Sequence, residues 1–304
     1  MKISGFTYVR NGKTYQYPYI AAIQSILPIV DEMIVVVGDS TDGTRESIEA
    51  LHEPKVKIVD TVWDEANRTS GKIFAMQSNE GIAHITGDWG IHIQADEVIH
   101  ENDIAEVKKW IEVADKMENV DGLLFPFYHF WGDYSHIRDS RKVHNFEIRA
   151  FKNNGHVFSY RDSQGFRIYP SYQAYLDGDE GQKLRVINTQ IPIYHYSYVR
   201  NPKFMKKKSN YFHRFWHNDN WLKNHTDNLD FDYNDVDKLI LFEKKHPVYM
   251  EEMIASKDWE FSYDPSKSNM TAKQKFLNWL EKILHRPLFR YTNYKLVRKN
   301  TVLK

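Results

Sequence analysis

The chain contains no cysteine. That excludes disulfides and thiolate metal ligands, and leaves imidazoles and carboxylates as the side chains able to hold a metal ion. Neither sign of charge is in excess, since 41 Lys and Arg are matched by 41 Asp and Glu over 304 residues. The molecule as a whole therefore offers no electrostatic case for nucleic-acid binding. No stretch approaches the roughly 18 uninterrupted apolar residues of a spanning helix, and no apolar run follows the first lysine. The chain accordingly reads as cytoplasmic and not membrane-spanning, and its lack of cysteine suits a reducing compartment. With 41% hydrophobic residues it can bury one large core, or a main domain with a smaller appendage.

The even charge balance conceals an asymmetry. From residue 266 onward there are ten Lys or Arg against one acid, Glu281, which gives this tail a formal +9 and the remainder −9. Within it Phe276, Leu277, Trp279, Leu280, Ile283 and Leu284 recur at helical spacing among Lys273, Lys275, Lys282 and Arg286. A basic amphipathic helix of this kind suits an anionic membrane surface, with peripheral contact on the inner face through 270–299, or packing against the rest of the chain or another subunit.

The first half alternates β-rich runs with helical patterns, as strands joined by crossover helices do. Strands are expected at 3–9, 33–37, 56–59, 89–93 and 122–127, and helices at 20–27, 45–51, 73–85 and 103–117. Past about residue 160 the alternation fades. Residues 169–175 and 191–198 read as strand-like or irregular, whereas 202–216 and 236–245 read as helical. The spacing thus predicts an α/β domain over 1–160, a second region over 161–265 and the basic tail over 266–304.

Two acidic segments fall where strands leave the sheet. Ile34-Val35-Val36-Val37-Gly38-Asp39-Ser40-Thr41-Asp42-Gly43-Thr44 runs from an apolar strand into a turn and a helix, with Asp42 or Thr44 as N-cap. Gly87-Asp88-Trp89-Gly90-Ile91-His92-Ile93-Gln94-Ala95-Asp96-Glu97 ends its strand on two carboxylates, at the edge where open α/β sheets place ligands. Together, over residues 2–160, these segments resemble the strand–D-D-G-S-T-D-G-T and D-x-D signatures of family 2 glycosyltransferases.

The resemblance implies a GT-A (Rossmann-like) fold, a mostly parallel sheet flanked by helices with a mixed, more helical C-terminal extension. It also implies transfer of a sugar from a nucleoside-diphosphate sugar, a UDP-sugar being the first expectation, to a hydroxyl of a glycan, a lipid-linked sugar or a protein, with inversion. Asp39 would accept hydrogen bonds from the base or ribose, with Thr7, Tyr8 and Arg10 flanking the base, and Arg68 and Lys72 near base and phosphates. Departure of the diphosphate builds negative charge, which Mn²⁺ or Mg²⁺ neutralises while needing only one or two protein carboxylates. Asp96 is the first ligand expected, Glu97 a second, and Gln94 stands where the family carries its first aspartate. His195, in Pro192-Ile193-Tyr194-His195, suits either a third ligand or a satisfied core histidine. Arg200 and Lys206 suit a diphosphate clamp, or an ordinary surface role.

An inverting transfer needs a carboxylate to take the acceptor's proton. The family supplies it after the later strands, and Glu147-Ile148-Arg149-Ala150-Phe151-Lys152 resembles the strand that precedes it. Asp162 is the first candidate for this base, then Asp179 and Glu180; Glu147 reads as structural, paired with an arginine. Trp131 suits an acceptor platform, and Phe130 the core. A nucleotidyltransferase is disfavoured by the missing glycine-rich, lysine-bearing loop. A non-catalytic nucleotide-sugar or glycan-binding module is the alternative of a different class, with Gln94 its support.

Overall fold

The structure is a computed structural model that describes residues 1–226, 229–284 and 288–297. Its first strands are Ile3–Val9 (β1), Glu32–Val37 (β2), Val56–Asp60 (β3) and Trp89–His92 (β4), linked by helices Tyr19–Ile26 (α1), Thr44–Glu49 (α2) and Lys72–His84 (α3). β2 and β4 flank β1 and run parallel to it, and β3 continues beyond β2, also parallel. Every residue of β2 is buried, as a continuous apolar run covered on both faces requires. Met33, Val35 and Val37 join Ile23 and Ile26 of α1 in one core, whereas Ile34 and Val36 join Phe6, Ile82 and Phe151 on the opposite face.

Beyond β4 come Glu97–Ile99 (β5), Ile104–Asp115 (α4), Gly122–Trp131 (β6), His136–Arg138 (β7), Phe146–Lys152 (β8), Val157–Ser159 (β9), Phe166–Ile168 (β10), Tyr172–Leu176 (α5), Gln182–Asn188 (β11) and Ile193–Tyr198 (β12). The chain then forms Pro202–His213 (α6), Asp219–His225 (α7), Leu239–Leu241 (β13), Glu251–Ala255 (α8), Ala272–Leu284 (α9) and Tyr294–Leu296 (β14). The sheet order is β3-β2-β1-β4-β8-β6-β11-β10-β9. β8 lies antiparallel between β4 and β6, so the sheet is mixed, an α/β architecture with helices on its faces. The sheet also runs across residue 160: β11 and β12 pair with β6, and β14 of the tail pairs with β11.

Three expectations need correction. Residues 236–245, read as helical, contain β13, antiparallel to β7. The spacing of Val236 and Leu239 mimics a helix, but Leu239 alone in β13 is buried and Ile240 and Leu241 face solvent, the pattern of a short edge strand. Residues 169–175 include α5, which begins where the Ser171 hydroxyl accepts a hydrogen bond from the Ala174 amide. The strand expected over 122–127 runs on as β6 to Trp131.

Candidate active site

β1 is the strand from which successive connections run to opposite sides, toward β2 and toward β4, and ligands bind at such switch points outside the carboxyl ends. Both acidic segments lie there. After β2 the chain passes Gly38, where a Cβ would stand 2.6 Å from the Trp63 indole nitrogen, so no larger residue fits. Asp39 follows; its carboxylate accepts hydrogen bonds from Arg10 Nη2 at 2.8 Å and the Trp63 amide at 3.1 Å. Arg10 also donates to the Tyr211 hydroxyl at 2.8 Å, from α6. Thr7 and Tyr8 close β1 beside them. At the turn, Asp42 receives the Thr44 amide at 3.1 Å and the Thr14 amide at 2.7 Å, fixing the entry to α2.

After β4, a turn closed by the Glu97 amide on the Gln94 carbonyl at 3.0 Å sends neighbouring carboxylates to different partners. Asp96 faces His195 and Lys208: its Oδ1 lies 3.6 Å from His195 Nε2 and its Oδ2 lies 3.5 Å from Lys208 Nζ. Burial alone would push the Asp96 carboxyl up, but His195, Lys208 and Arg200 more than offset it and hold the group well below the usual carboxylate range. Glu97 turns the other way. Fully buried, it takes a bidentate pair from Arg149, at 2.8 Å from Nε and 2.6 Å from Nη2, plus the Gln94 amide at 3.0 Å. The expectation of Glu97 as a metal ligand is corrected accordingly: its oxygens are committed to a buried guanidinium. Gln94, two residues past the strand, borders a cleft.

His195 is held by a chain of hydrogen bonds. The pairing of β12 with β5 and β6 sets it opposite both Glu97 and His129. His129 Nε2 lies 2.5 Å from the His144 carbonyl, and its Nδ1 lies 2.8 Å from His195 Nδ1. A carbonyl only accepts, so His129 carries its proton on Nε2; burial, with the neighbouring His195 and His144, keeps it neutral. His129 Nδ1 is thereby an acceptor and His195 donates to it from Nδ1. The remaining nitrogen, His195 Nε2, faces Asp96 Oδ1, donating to the carboxylate when it carries a proton and offering a lone pair when it does not. With Nε2 free of a proton the two atoms could share a cation, and an imidazole oriented through its other nitrogen is the usual form of a metal ligand. Among the described residues no three His, Cys, Asp or Glu side chains gather. Asp96 and His195 fit a divalent ion as a two-residue site whose shell phosphate oxygens and water would complete.

Positive charge is concentrated here. Arg200 is buried, and its Nε and Nη1 have no hydrogen-bond partner; the guanidinium stands over the Tyr17 ring at 5.2 Å. Lys208 donates to the Ser197 carbonyl and hydroxyl at 2.9 Å, and burial, with Arg200 nearby, pushes its ammonium down to about 7. Lys208 is the residue that the sequence reading missed: the basic side chain of α6 that reaches Asp96 is Lys208 and not Lys206. A signal existed, because Met205 and Lys208, three apart, are the buried positions of α6. Arg68 is held by Asp219 of α7 at 2.5 Å, and Lys72 is exposed at the start of α3.

A cleft of about 1040 Å³ opens beside this cluster, lined among others by Gln94, Glu147, Arg149, Asp162, Asn278 and Glu281. Asp162 sits between Arg161 and Ser163, both with positive φ, 55° and 71°. Non-glycine residues take that conformation seldom, and surrounding structure must impose it. Burial raises the Asp162 carboxyl, and burial pushes Glu147 up to about 8. Asp179 and Glu180 lie on an exposed turn, Asp179 capping the Gly181 amide at 2.7 Å, away from this cleft's lining. Trp131 does not offer a platform: it is buried, stacked on Tyr198 at 4.4 Å, with its indole nitrogen on the Tyr233 carbonyl at 2.8 Å. Phe130 is core, as expected.

Comparison with known proteins gives one family and several partial structural likenesses. The family described as Glycosyl transferase family 2 matches residues 17–173, just over half of the chain. No curated protein sequence matches. Among solved structures, S. aureus TarS is 13% identical with a TM-score of 0.40 over 70% of this chain and 39% of TarS, so the chain spans about two-fifths of that protein's length. The 1–349 portion of TarS in complex with UDP-GlcNAc is 12% identical, TM-score 0.37, over 70% of this chain and 65% of that one. Glucosyl-3-phosphoglycerate synthase from Mycobacterium tuberculosis, in complex with Mn²⁺, UDP and phosphoglyceric acid, is 15% identical, TM-score 0.35, over 64% of this chain and 70% of that one.

Proposed function

From the premise that this chain belongs to glycosyl transferase family 2, we propose that it moves a sugar from a nucleoside-diphosphate sugar to a hydroxyl acceptor, with inversion and the help of a divalent metal ion. The observation that carries the reading is the surplus of positive charge around one carboxylate. Arg200 and Lys208 converge on Asp96, while two nitrogens of the buried Arg200 guanidinium are without partners. A buried charge surplus left unpaired is costly, and a diphosphate supplies the missing anion.

In this reading the nucleotide lies against Asp39, Arg10 and the end of β1, and its diphosphate against Arg200 and Lys208. Asp96 and His195 would hold Mn²⁺ or Mg²⁺, which supplies Lewis-acid stabilisation of the leaving diphosphate. Arg200 and Lys208 add to that stabilisation, because fixed cations in a dry site act strongly where charge develops. The acceptor, a glycan, lipid-linked sugar or protein hydroxyl, enters by the cleft whose lining includes Gln94 and Asp162. Asp162 takes the proton of the attacking hydroxyl. Glu147 is a second reading for that role, favoured by its place in the same cleft and a carboxyl shifted to about 8, close to working pH.

The test is a thermal-shift screen of UDP, GDP, dTDP and CMP, each with Mn²⁺, Mg²⁺ or EDTA, since a ligand of the native state raises Tm. A metal-dependent shift with one nucleotide, absent in Asp96→Ala, is expected. No shift with any nucleotide would reject the donor-binding reading in favour of a glycan-binding protein that retains the fold.

A further inference from the structure

α9 is packed the wrong way round for a soluble amphipathic helix. Its buried residues Asn278 and Glu281, each 8% exposed, are polar, with Leu277 and Leu280 half-buried beside them. Asn278 donates to the Asp139 carbonyl at 3.2 Å, and Glu281 accepts from Arg141 at 3.0 Å, the Leu288 amide at 3.0 Å and Arg290 Nε at 3.1 Å. Phe276, Trp279 and Ile283, spaced three and four apart and so on one face, point outward and are 57%, 56% and 52% exposed. An ordinary surface helix buries its apolar stripe in the core and shows its charges to water. Here the polar face supplies the docking contacts and the apolar stripe is left for something else.

We infer that this stripe docks on an anionic lipid surface. Charge complementarity selects that occupant. Lys273 and Lys275 are exposed on the same helix, and the sequence from residue 266 onward carries a formal +9. Basic residues beside an apolar face that bears a tryptophan are the composition of a helix lying in the bilayer interface, apolar side in the acyl boundary and ammonium groups among anionic headgroups. The same helix lines the cleft through Asn278 and Glu281. Docking by the outer face therefore sets the cleft beside the bilayer. Taken with the proposed transfer, a reading on which the docking itself does not depend, this favours a lipid-linked acceptor.

The experiment is co-sedimentation of the full chain with sucrose-loaded vesicles, of phosphatidylcholine alone or with phosphatidylglycerol, at low and high salt. The wild type should pellet with the anionic vesicles, weakly or not at all with the neutral ones, and less as salt rises. Phe276→Asp and Trp279→Asp should each lower vesicle affinity by about tenfold or more, and Lys273→Glu with Lys275→Glu should lower it further. All four positions are solvent-facing, so an unchanged Tm verifies that the variants fold. Absence of pelleting with anionic vesicles overturns the inference. So does binding that survives the Phe276 and Trp279 substitutions, or a salt-insensitive dimer in light scattering that those substitutions dissolve, which would assign the stripe to a second copy.

Discussion

Removing Glu97 should unfold the protein more readily than it should disturb metal binding. The carboxylate and Arg149 are both essentially excluded from water, joined by two hydrogen bonds of 2.6 and 2.8 Å, and Arg149 spends its remaining Nη1 on the Ile148 carbonyl at 3.1 Å. Truncating one partner of such a pair strands the other charge, at a cost of about 3–5 kcal/mol. Against a total stability of roughly 5–15 kcal/mol, Glu97→Ala should therefore lose about a fifth or more, with a fall in Tm on the order of 5–10 °C. Urea unfolding gives the midpoint and slope directly. The double variant Glu97→Leu with Arg149→Met, which deletes both charges and keeps apolar volume, should recover most of the loss. Had Glu97 been a metal ligand, alanine would cost Mn²⁺ affinity and little stability. A loss below about 1 kcal/mol in Glu97→Ala, or a double variant no better than the single, refutes the buried-pair argument.

Two further tests address the site. His129→Leu should weaken Mn²⁺ binding, measured by the electron paramagnetic resonance of free Mn²⁺, by about 10–100-fold, while His129→Asn, whose side-chain oxygen can accept the His195 Nδ1 proton, should retain most of it; equal loss in both would refute the tautomer assignment. Asp162→Asn should lower kcat by about 10²–10⁴ with the nucleotide-induced thermal shift intact, and Glu147→Gln distinguishes the second candidate through pH. Burial raises Glu147 from 4.5 to about 8 in the folded state, so the folded protein holds that proton more tightly than the unfolded chain. Its contribution is full below about 4.5 and lost as pH rises through about 8. Relative to Glu147→Gln, the wild type should lose stability across that window, and parallel pH–stability curves would show that the shift is absent.

How far the site could be read from sequence depends on how local each signal is. Asp39 and Asp96 were legible because an apolar strand followed by a turn fixes where a carboxylate stands relative to a sheet. Glu97 was not: its partner Arg149 is 52 residues away and reaches it only because β8 inserts antiparallel beside β4. His129 carries no local signal in the sequence, and its role appears once β12 pairs with β6. β13 was misread because a single buried leucine carries too little period to separate strand from helix. In α9 the helical spacing was plain, but not that the polar face would be the buried one, which follows from ion pairs with Arg141 and Arg290.

The second half of the chain does more than extend the sheet, and α6 bridges the two acidic segments. Lys208 and Tyr211 are three residues apart, so they project from the same side of the helix. One touches Asp96 at 3.5 Å; the other receives the Arg10 guanidinium that also holds Asp39. The helix is pinned next to them by aromatic packing, Phe212 on Phe74 at 5.5 Å and Tyr211 on Tyr15 at 4.9 Å. A ligand spanning Asp39 and Asp96 must therefore meet α6 along its length. This helix lies outside the signature-bearing region and brings Lys208 to Asp96, with Arg200 just ahead of it.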